Sequence, residues 1–162
     1  GEGFNQITET IKAIESIGMQ TVWLWPNVDA GSDDISKGLR MYRETKKDQE
    51  QIAFFRNFEL DDYASLLANC SCLVGNSSSA LREGAFLGVP AVSIGSRQNL
   101  REHAENVMFA GHSSSEIERM IRIQLSNGFY NSSTLYGDGN AGKRIAEILA
   151  YASIKVQKQL RY

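Results

Sequence analysis

Three consecutive serines follow an apolar run, at a point where a strand would end and a helix would begin. Residues 75–84 read GNSSSALREG and come directly after Leu73 and Val74. Free backbone N–H groups at the start of a helix, together with nearby hydroxyls, are suited to bind phosphate. We therefore predict that Ser77 and Ser78 bind a phosphate group. The simpler alternative for any one serine is that it only N-caps the helix.

Charged and amide side chains at three further positions could complete a nucleotide site. Glu83 follows Ser79 by one helical turn, where its carboxylate could accept hydrogen bonds from both ribose hydroxyls, or could equally be a solvated helix charge. Arg97 and Arg101 lie in the segment GSRQNLRE, which follows a strand and is predicted to lie near the same sheet edge as the serines. Their guanidinium groups suit a diphosphate or the face of a uracil ring, although surface arginines are common. Asn27, in PNVDAGS, could contact a sugar or nucleotide, or could form a turn or cap a helix.

Other polar residues give no evidence of a metal site or a hydrolytic triad. His103 and His112 have no carboxylate or cysteine at ligand spacing, so we predict neither a zinc site nor a Ser-His-Asp arrangement. Asp138 stands between two glycines before the last helix, and we predict a tight turn there rather than an anion nest. Cys70 and Cys72 lie two residues apart in an apolar run, and we predict buried reduced thiols.

Strands that alternate with helices must position these groups. Short apolar runs predict strands near residues 21–25, 51–58, 71–75, 91–95 and 106–110. Apolar residues spaced by three and four predict helices over residues 4–17 and 60–69, and a further helix is predicted from Ser114 to Ser126, with Ser113 or Ser114 as its N-cap. A last helix is predicted from about Asn140 to Ile154 and beyond, with Ile145, Ile148 and Leu149 directed towards the core. The pattern predicts an open, mostly parallel α/β sheet flanked by helices, whose ligands bind beyond the carboxyl ends of the strands.

Length and charge exclude several classes of protein. The chain has 162 residues, 42% of them hydrophobic, which predicts one domain spanning residues 1–162 with a core of its own. Its net charge of −2 provides no field for non-specific binding of nucleic acid. No apolar run is long enough to span a bilayer and no leader opens the chain, so we expect a cytoplasmic protein. Because such sheets normally begin with a strand and this chain begins with a helix, we expect the first strand to be missing.

The segments NSSSALREGAFLGVPAVSIGSRQ, REHAEN and YGDGNAGKRI, together with PNVDAGS, resemble the UDP-N-acetylglucosamine 2-epimerase family. The similarity is greatest to the hydrolysing branch, which makes N-acetylmannosamine for sialic acid synthesis. Non-hydrolysing relatives usually carry D-S-G-G at the serine segment and T-E-R-P-E where this chain has SRQNLRE. The resemblance implies the C-terminal half of a two-domain GT-B-type fold, with the N-terminal domain lying outside this chain.

The resemblance also implies roles for individual residues. It assigns phosphate binding to Ser77 and Ser78, ribose binding to Glu83 and a nucleotide contact to Arg97, with Asn27 as a further contact.

The reaction of the family implies where the catalytic groups lie. The family eliminates UDP across C1 and C2 of the sugar to give a glycal, to which hydrolysing members add water. Its acid-base groups come from the N-terminal domain and from a histidine loop just upstream of the helix that begins here at Gly1. We therefore expect the catalytic residues to lie upstream of Gly1 and in the missing domain, and the isolated chain to be inactive.

The expected partner is a UDP-sugar, with no cofactor, and the full-length protein is expected to be a homo-oligomer. Two alternatives remain open at this stage. One is the donor-binding domain of a GT-B glycosyltransferase, which would transfer the sugar to an acceptor without change at C2. The other is a non-enzymatic module that binds nucleotide-sugars.

Overall fold

Helices and strands alternate along the computed structural model, which describes residues 2–27, 32–46 and 51–153. The helices are α1 Glu2–Ile17, α2 Ser32–Thr45, α3 Leu60–Asn69, α4 Glu83–Leu87, α5 Ser114–Asn127 and α6 Ala141–Tyr151, and the strands are β1 Thr21–Leu24, β2 Ile52–Phe55, β3 Leu73–Gly75, β4 Ala91–Ile94 and β5 Val107–Ala110. The predicted alternation and element types are confirmed, with most strands shorter than the sequence indicated. No helix in the described part of the chain combines the length and apolar character needed to cross a membrane.

The first helix is described from its second residue onwards. The resemblance places its beginning at Gly1, whereas α1 is described from Glu2 onwards and Gly1 itself lies outside the described residues. The expectation that catalytic groups lie upstream of Gly1 concerns residues beyond this chain, so it stays a prediction.

All strand pairs in the described residues are parallel, and they form two sheets. β1 pairs with β2, while β4 lies between β3 and β5. The predicted parallel α/β class is therefore confirmed. The alternation predicted one sheet, whereas the described strands form two. No backbone ladder among the described residues joins β1 and β2 to the other three strands.

One apolar core joins the two sheets through the helices that cover them. Its buried residues come from α1, β2, β4, β5 and α5, namely Ala13, Ile14, Ile52, Val92, Ile94, Ala110, Ile117, Met120 and Ile121. All four residues of β4 are buried, as expected for a central strand covered on both faces. The three-stranded sheet thus has a fixed frame from which its loops project.

A carboxylate from α1 caps the N-terminus of α5. The backbone N–H of Ser114 donates to Glu9 Oε2 at 3.1 Å, and Lys12 Nζ lies 2.6 Å from Glu9 Oε1. These bonds, with that from Lys12 foremost, lower the pKa of Glu9 from its ordinary value of 4.5 to about 2. Ser113 occupies the predicted N-cap position, but its hydroxyl contacts Ser115 Oγ at 2.9 Å and makes no capping bond.

The last helix differs from the prediction in its packing. Its spacing predicts that Ile145, Ile148 and Leu149 reach the core, yet they are 56%, 66% and 56% exposed, and α6 has no buried residue. Helical spacing identifies an apolar face, but it does not supply an element to cover that face, and none of the described residues buries it. The predicted continuation of this helix beyond residue 153 lies outside the described residues.

The turn before α6 is confirmed. Asp138 Oδ1 accepts from the Asn140 backbone N–H at 3.0 Å and from Arg144 Nη1 at 2.9 Å. Because its lone pairs serve the turn and the guanidinium, the carboxylate closes the segment internally. The pKa of Asp138 is held far below its ordinary value, first by the Arg144 hydrogen bonds.

Both cysteines are free, as predicted, but they are half-buried rather than fully buried. They precede β3 instead of lying within it, since that strand begins at Leu73. Burial raises the pKa of both thiols, that of Cys72 to about 12.

Candidate functional site

Two loops meet at the carboxyl edge of the three-stranded sheet. Residues 76–80, here called the serine loop, follow β3, and residues 95–102, the arginine loop, follow β4. β3 and β4 are neighbouring parallel strands with Gly75 opposite Ser93, so both loops leave the sheet at the same edge. A hydrogen bond of 2.8 Å from Gln98 Nε2 to the Asn76 carbonyl joins them. The predicted proximity of the two loops is therefore confirmed.

The serine loop folds around its own hydroxyl and backbone groups. Ser77 Oγ accepts from the Ser79 backbone N–H at 3.2 Å and so caps the 3₁₀ turn Ser78–Ala80. The Ser78 carbonyl accepts from the N–H groups of Leu81 and Arg82, both at 3.0 Å. One serine thus does the capping that the simpler alternative assigns to it. Because a hydroxyl carries one donor besides its acceptor lone pairs, the Ser77 proton remains available to an anion.

The helix predicted to follow the serines is broken into two short pieces. The 3₁₀ turn ends at Ala80, and α4 begins only at Glu83, after Arg82 at ψ −79°. In a continuous helix the Ala80 carbonyl would accept from the N–H of residue 84. It accepts instead from Asn106 Nδ2 at 3.1 Å, a side chain that also donates to the Val89 carbonyl at 2.9 Å. The expected dipole of a long helix is therefore absent from this loop, and its anion-binding capacity rests on hydroxyls and local N–H groups.

Glu83 and Arg97 lie beside the serine loop and are exposed. Glu83 is the first residue of α4, and its neighbour Gly84 packs so closely that an added Cβ would lie 3.1 Å from the Ser79 carbonyl oxygen. Arg97 directly precedes Gln98, whose side chain bonds to the loop. An exposed carboxylate thus follows the serine loop by three residues, and an exposed guanidinium belongs to the loop that is hydrogen-bonded to it.

Asn27 is exposed and follows β1, in the two-stranded sheet, rather than either strand that carries the two loops. Among the described contacts, none joins Asn27 to the serine loop. The remainder of PNVDAGS, including Asp29, falls at residues 28–31, which lie outside the described residues.

The histidines do not form a metal centre in the described ranges. His112 packs against Gly95 at the end of β4, where an added Cβ would lie 2.8 Å from its Nε2 atom. His103 stacks edge-on against Phe109 with ring centroids 5.0 Å apart. Residues 2–27, 32–46 and 51–153 contain no group of three His, Cys, Asp or Glu side chains placed to hold a metal ion.

Sequence reasoning missed two amide side chains that hold the serine loop. Gln98 and Asn106 are buried, at 3% and 1% exposure, and bond to the carbonyls of Asn76 and Ala80 at the two ends of the loop. Neither belongs to an apolar periodicity, and a lone amide in a polar loop looks like a surface residue. Only the fold shows that they point inwards.

An open parallel α/β sheet with polar loops gathered at its carboxyl edge defines a class of ligand-binding proteins that includes nucleotide-binding domains. Within this class, the sequence profile of UDP-N-acetylglucosamine 2-epimerases matches residues 1–150. The chain therefore belongs to the UDP-N-acetylglucosamine 2-epimerase family.

Individual relatives cover most of this chain. It is 30% identical over 144 residues to a Legionella pneumophila protein named UDP-N,N'-diacetylbacillosamine 2-epimerase (hydrolyzing), covering 89% of this chain and 37% of the relative. A Neisseria meningitidis UDP-N-acetylglucosamine 2-epimerase is 26% identical over 141 residues, covering 85% of this chain and 36% of the relative. The chain thus spans little more than a third of the length of these relatives.

Solved structures show the same fold. The crystal structure of Methanocaldococcus jannaschii UDP-GlcNAc 2-epimerase in complex with UDP-GlcNAc and UDP superposes with a TM-score of 0.67 at 17% identity, covering 94% of this chain and 42% of that one. A putative UDP-N-acetylglucosamine 2-epimerase from Listeria monocytogenes gives a TM-score of 0.61 at 16% identity, covering 92% of this chain and 41% of that one. The predicted Rossmann-like fold, one half of a GT-B-type arrangement, is confirmed.

Proposed function

We propose that this chain is the UDP-binding, C-terminal domain of a hydrolysing UDP-N-acetylglucosamine 2-epimerase, which converts UDP-N-acetylglucosamine to N-acetylmannosamine and UDP. The observation that carries the proposal is the family match over residues 1–150, combined with the junction of the serine and arginine loops at one sheet edge. The names of the Legionella and Neisseria relatives support the hydrolysing reaction and the substrate class respectively.

The serine loop supplies donors for the diphosphate. Ser77 Oγ accepts from the Ser79 N–H, and this bond leaves the proton of its own hydroxyl available for donation to a phosphate oxygen. Ser78 follows in the same turn, and Arg97 brings a guanidinium from the adjoining loop. The two serine hydroxyls can donate hydrogen bonds to phosphate oxygens, and a guanidinium can neutralise the charge of a diphosphate while donating two parallel hydrogen bonds.

The ribose and the rest of the substrate would extend from this point. Glu83, the first residue of α4, is proposed to accept hydrogen bonds from the two ribose hydroxyls, while the diphosphate lies on the serines. Asn27 would contact the ligand from the two-stranded sheet. The acid-base groups are proposed to come from the part of the fold upstream of Gly1, so the domain alone binds UDP and does not turn over the sugar.

Calorimetric titration of the chain with UDP, and separately with ADP, tests the binding proposal. We expect UDP to bind and ADP to bind more weakly. Hydrogen bonds to a charged group contribute about 1.5–3 kcal/mol, so Glu83→Ala should weaken UDP binding by roughly 10- to 100-fold.

Glu105→Ala provides the matched control. Glu105 is also an exposed carboxylate, but it precedes β5 and so lies at the opposite, amino edge of the sheet. Its removal should leave the UDP affinity within about twofold of wild type, because a single exposed charge is screened over such distances. Equal losses in both variants, or no loss in either, would contradict the assignment of Glu83.

The reaction itself is tested on the full-length gene product in deuterated water. Inversion at C2 requires the C2 proton to leave and return on the other face, so N-acetylmannosamine should carry deuterium at C2 and appear together with UDP. UDP-N-acetylmannosamine as the product would refute the hydrolysing step. Transfer of unaltered sugar to an acceptor would refute the epimerase function. N-acetylmannosamine formation by the isolated 162-residue chain would refute the proposed division of labour.

A further inference from the structure

Gln98 is the one buried side chain in an otherwise exposed segment. Ser96, Arg97 and residues 99–102 are all exposed, whereas Gln98 is 3% exposed. An amide has no hydrophobic reason to be buried, and burial without a hydrogen-bond partner would be unfavourable. Its Nε2 donates to the Asn76 carbonyl at 2.8 Å, and this bond accounts for its inward orientation.

The bond spans two loops that have different parent strands. The Asn76 carbonyl stands at the start of the serine loop, one residue before Ser77, and Gln98 stands one residue after Arg97. Fixing these two atoms therefore fixes the backbone of the serine loop relative to the backbone that carries Arg97. At the other end of the loop, Asn106 holds the Ala80 carbonyl at 3.1 Å.

The other half of the Gln98 amide is not used for folding. Its Oε1 atom is buried and has no hydrogen-bond partner among the described residues. Gln124, in contrast, satisfies both ends of its amide with two backbone carbonyls and the Tyr130 hydroxyl. Asn106, the amide at the other end of the serine loop, shares the feature of Gln98, since its Oδ1 atom is also buried without a partner among the described residues. The hydrogen bond that joins the two loops is thus the one polar contact of the buried Gln98 side chain among the described residues.

We propose that Gln98 is a positioning residue that holds the serine loop in register with Arg97, and that the affinity of the site for a nucleoside diphosphate depends on this bond. The ligand named here rests on the proposed UDP site. Recognition of a phosphate requires donors placed to within a fraction of an ångström, so loosening the loop should weaken binding even though Gln98 itself does not contact the ligand.

Gln98→Met tests the proposal, because methionine keeps the length of the side chain and removes the donor. Ile11→Ala is the control for a general loss of stability: Ile11 is 6% exposed and packs with Ile7 and Leu39 in a cluster that includes no residue of either loop. We expect Gln98→Met to weaken UDP binding about tenfold, and Ile11→Ala to lower the Tm while leaving the UDP affinity of the folded chain within about twofold of wild type. UDP binding by Gln98→Met within twofold of wild type would overturn the proposal.

Gln98→Glu adds a readout that a merely structural role would not move. A protonated carboxyl can donate to the Asn76 carbonyl, while the ionised form cannot. Burial at this position should raise the pKa of the introduced carboxyl above its ordinary value of about 4.3, so that much of it is protonated at about pH 5. At that pH the Glu variant should therefore bind UDP more tightly than Gln98→Met, and at about pH 8 more weakly. Relief of charge repulsion alone would raise the Glu variant only to the level of the Met variant, and that result would count against the bond.

Amide hydrogen exchange tests the positioning without any nucleotide. The N–H groups of Ser79, Leu81 and Arg82 all bond within the serine loop. Their exchange should be at least about tenfold faster in Gln98→Met than in Ile11→Ala, with exchange in β4 unchanged. If wild type fails to bind UDP but the loop amides accelerate, the proposed function fails and the positioning role stands. If the amides do not accelerate, the positioning role fails whatever the chain binds.

Discussion

Replacing Gly88 by alanine should strongly lower the stability of the fold, because of the backbone conformation at this position and its close contact with Tyr130. Gly88 ends α4 in the left-handed region, at φ +69° and ψ 22°, and its carbonyl accepts from the Tyr130 N–H at 2.8 Å. A Cβ at this position would overlap the Tyr130 carbonyl oxygen and lie 3.0 Å from the carbonyl carbon. Both atoms are backbone and cannot rotate away, so residue 130 must move.

The cost of Gly88→Ala has two parts that a control separates. The left-handed conformation costs an alanine about 1–2 kcal/mol. Moving residue 130 weakens the hydrogen bond from its N–H to the Gly88 carbonyl, which contributes about 0.5–1.5 kcal/mol. The same movement pulls the Tyr130 hydroxyl away from the buried Gln124 Oε1, and leaving that oxygen without a partner costs about 1–3 kcal/mol more. That hydroxyl now lies 2.7 Å from Oε1. Gly18, at φ +73° with no atom within 4 Å of an added Cβ, bears only the conformational cost.

Urea denaturation of wild type, Gly88→Ala and Gly18→Ala measures the difference. We expect Gly88→Ala to lower the free energy of unfolding by about 2–4 kcal/mol more than Gly18→Ala does, with similar m-values. Equal destabilisation by the two variants, within about 0.5 kcal/mol, would refute the reasoning. It would mean that the segment after α5 can move without lowering the free energy of unfolding, and that Tyr130 does not anchor this segment to α4.

Three further predictions concern charge, thiol reactivity and burial. Because the pKa of Glu9 falls from 4.5 to about 2 on folding, its contribution to stability is present above pH 4.5 and is lost as the pH falls towards 2. The Tm difference between wild type and Glu9→Gln, measured against pH, should therefore shrink over that interval, and a constant difference would contradict the cap on Ser114. Burial raises the pKa of Cys72 to about 12, so its labelling by a disulfide reagent at about pH 8 should be at least about 100-fold slower in the folded chain than in urea, and comparable rates would show that the thiol is accessible. Ile117→Ala should lower the free energy of unfolding by about 2–5 kcal/mol, whereas Ile148→Ala should change it by less than about 0.5 kcal/mol, since the two side chains are 0% and 66% exposed; a large loss at Ile148 would show that the face of α6 is covered in solution.

The sequence by itself determined the order and type of the elements, because their patterns are local. The three-and-four spacing of apolar residues places α1, and α3 has the bounds Leu60–Asn69 that its spacing indicated. Runs rich in β-branched and aromatic residues place the five strands, and strand–helix alternation is enough to indicate parallel pairing. From parallel pairing it follows that the loops after β3 and β4 share an edge, so the location of the candidate site could be predicted as well.

Only the tertiary structure decided which side chains hold that site and which apolar faces are covered. The break between the serine loop and α4 arises because Asn106, distant in the chain, takes the Ala80 carbonyl. The inward orientation of Gln98, the cap from Glu9 on α5 and the exposure of α6 likewise depend on groups that are distant in sequence. The spacing of apolar and polar residues indicates which face of each segment can be buried and which groups can form hydrogen bonds. Which partner it meets is set by the packing of the whole chain, and no local pattern encodes it.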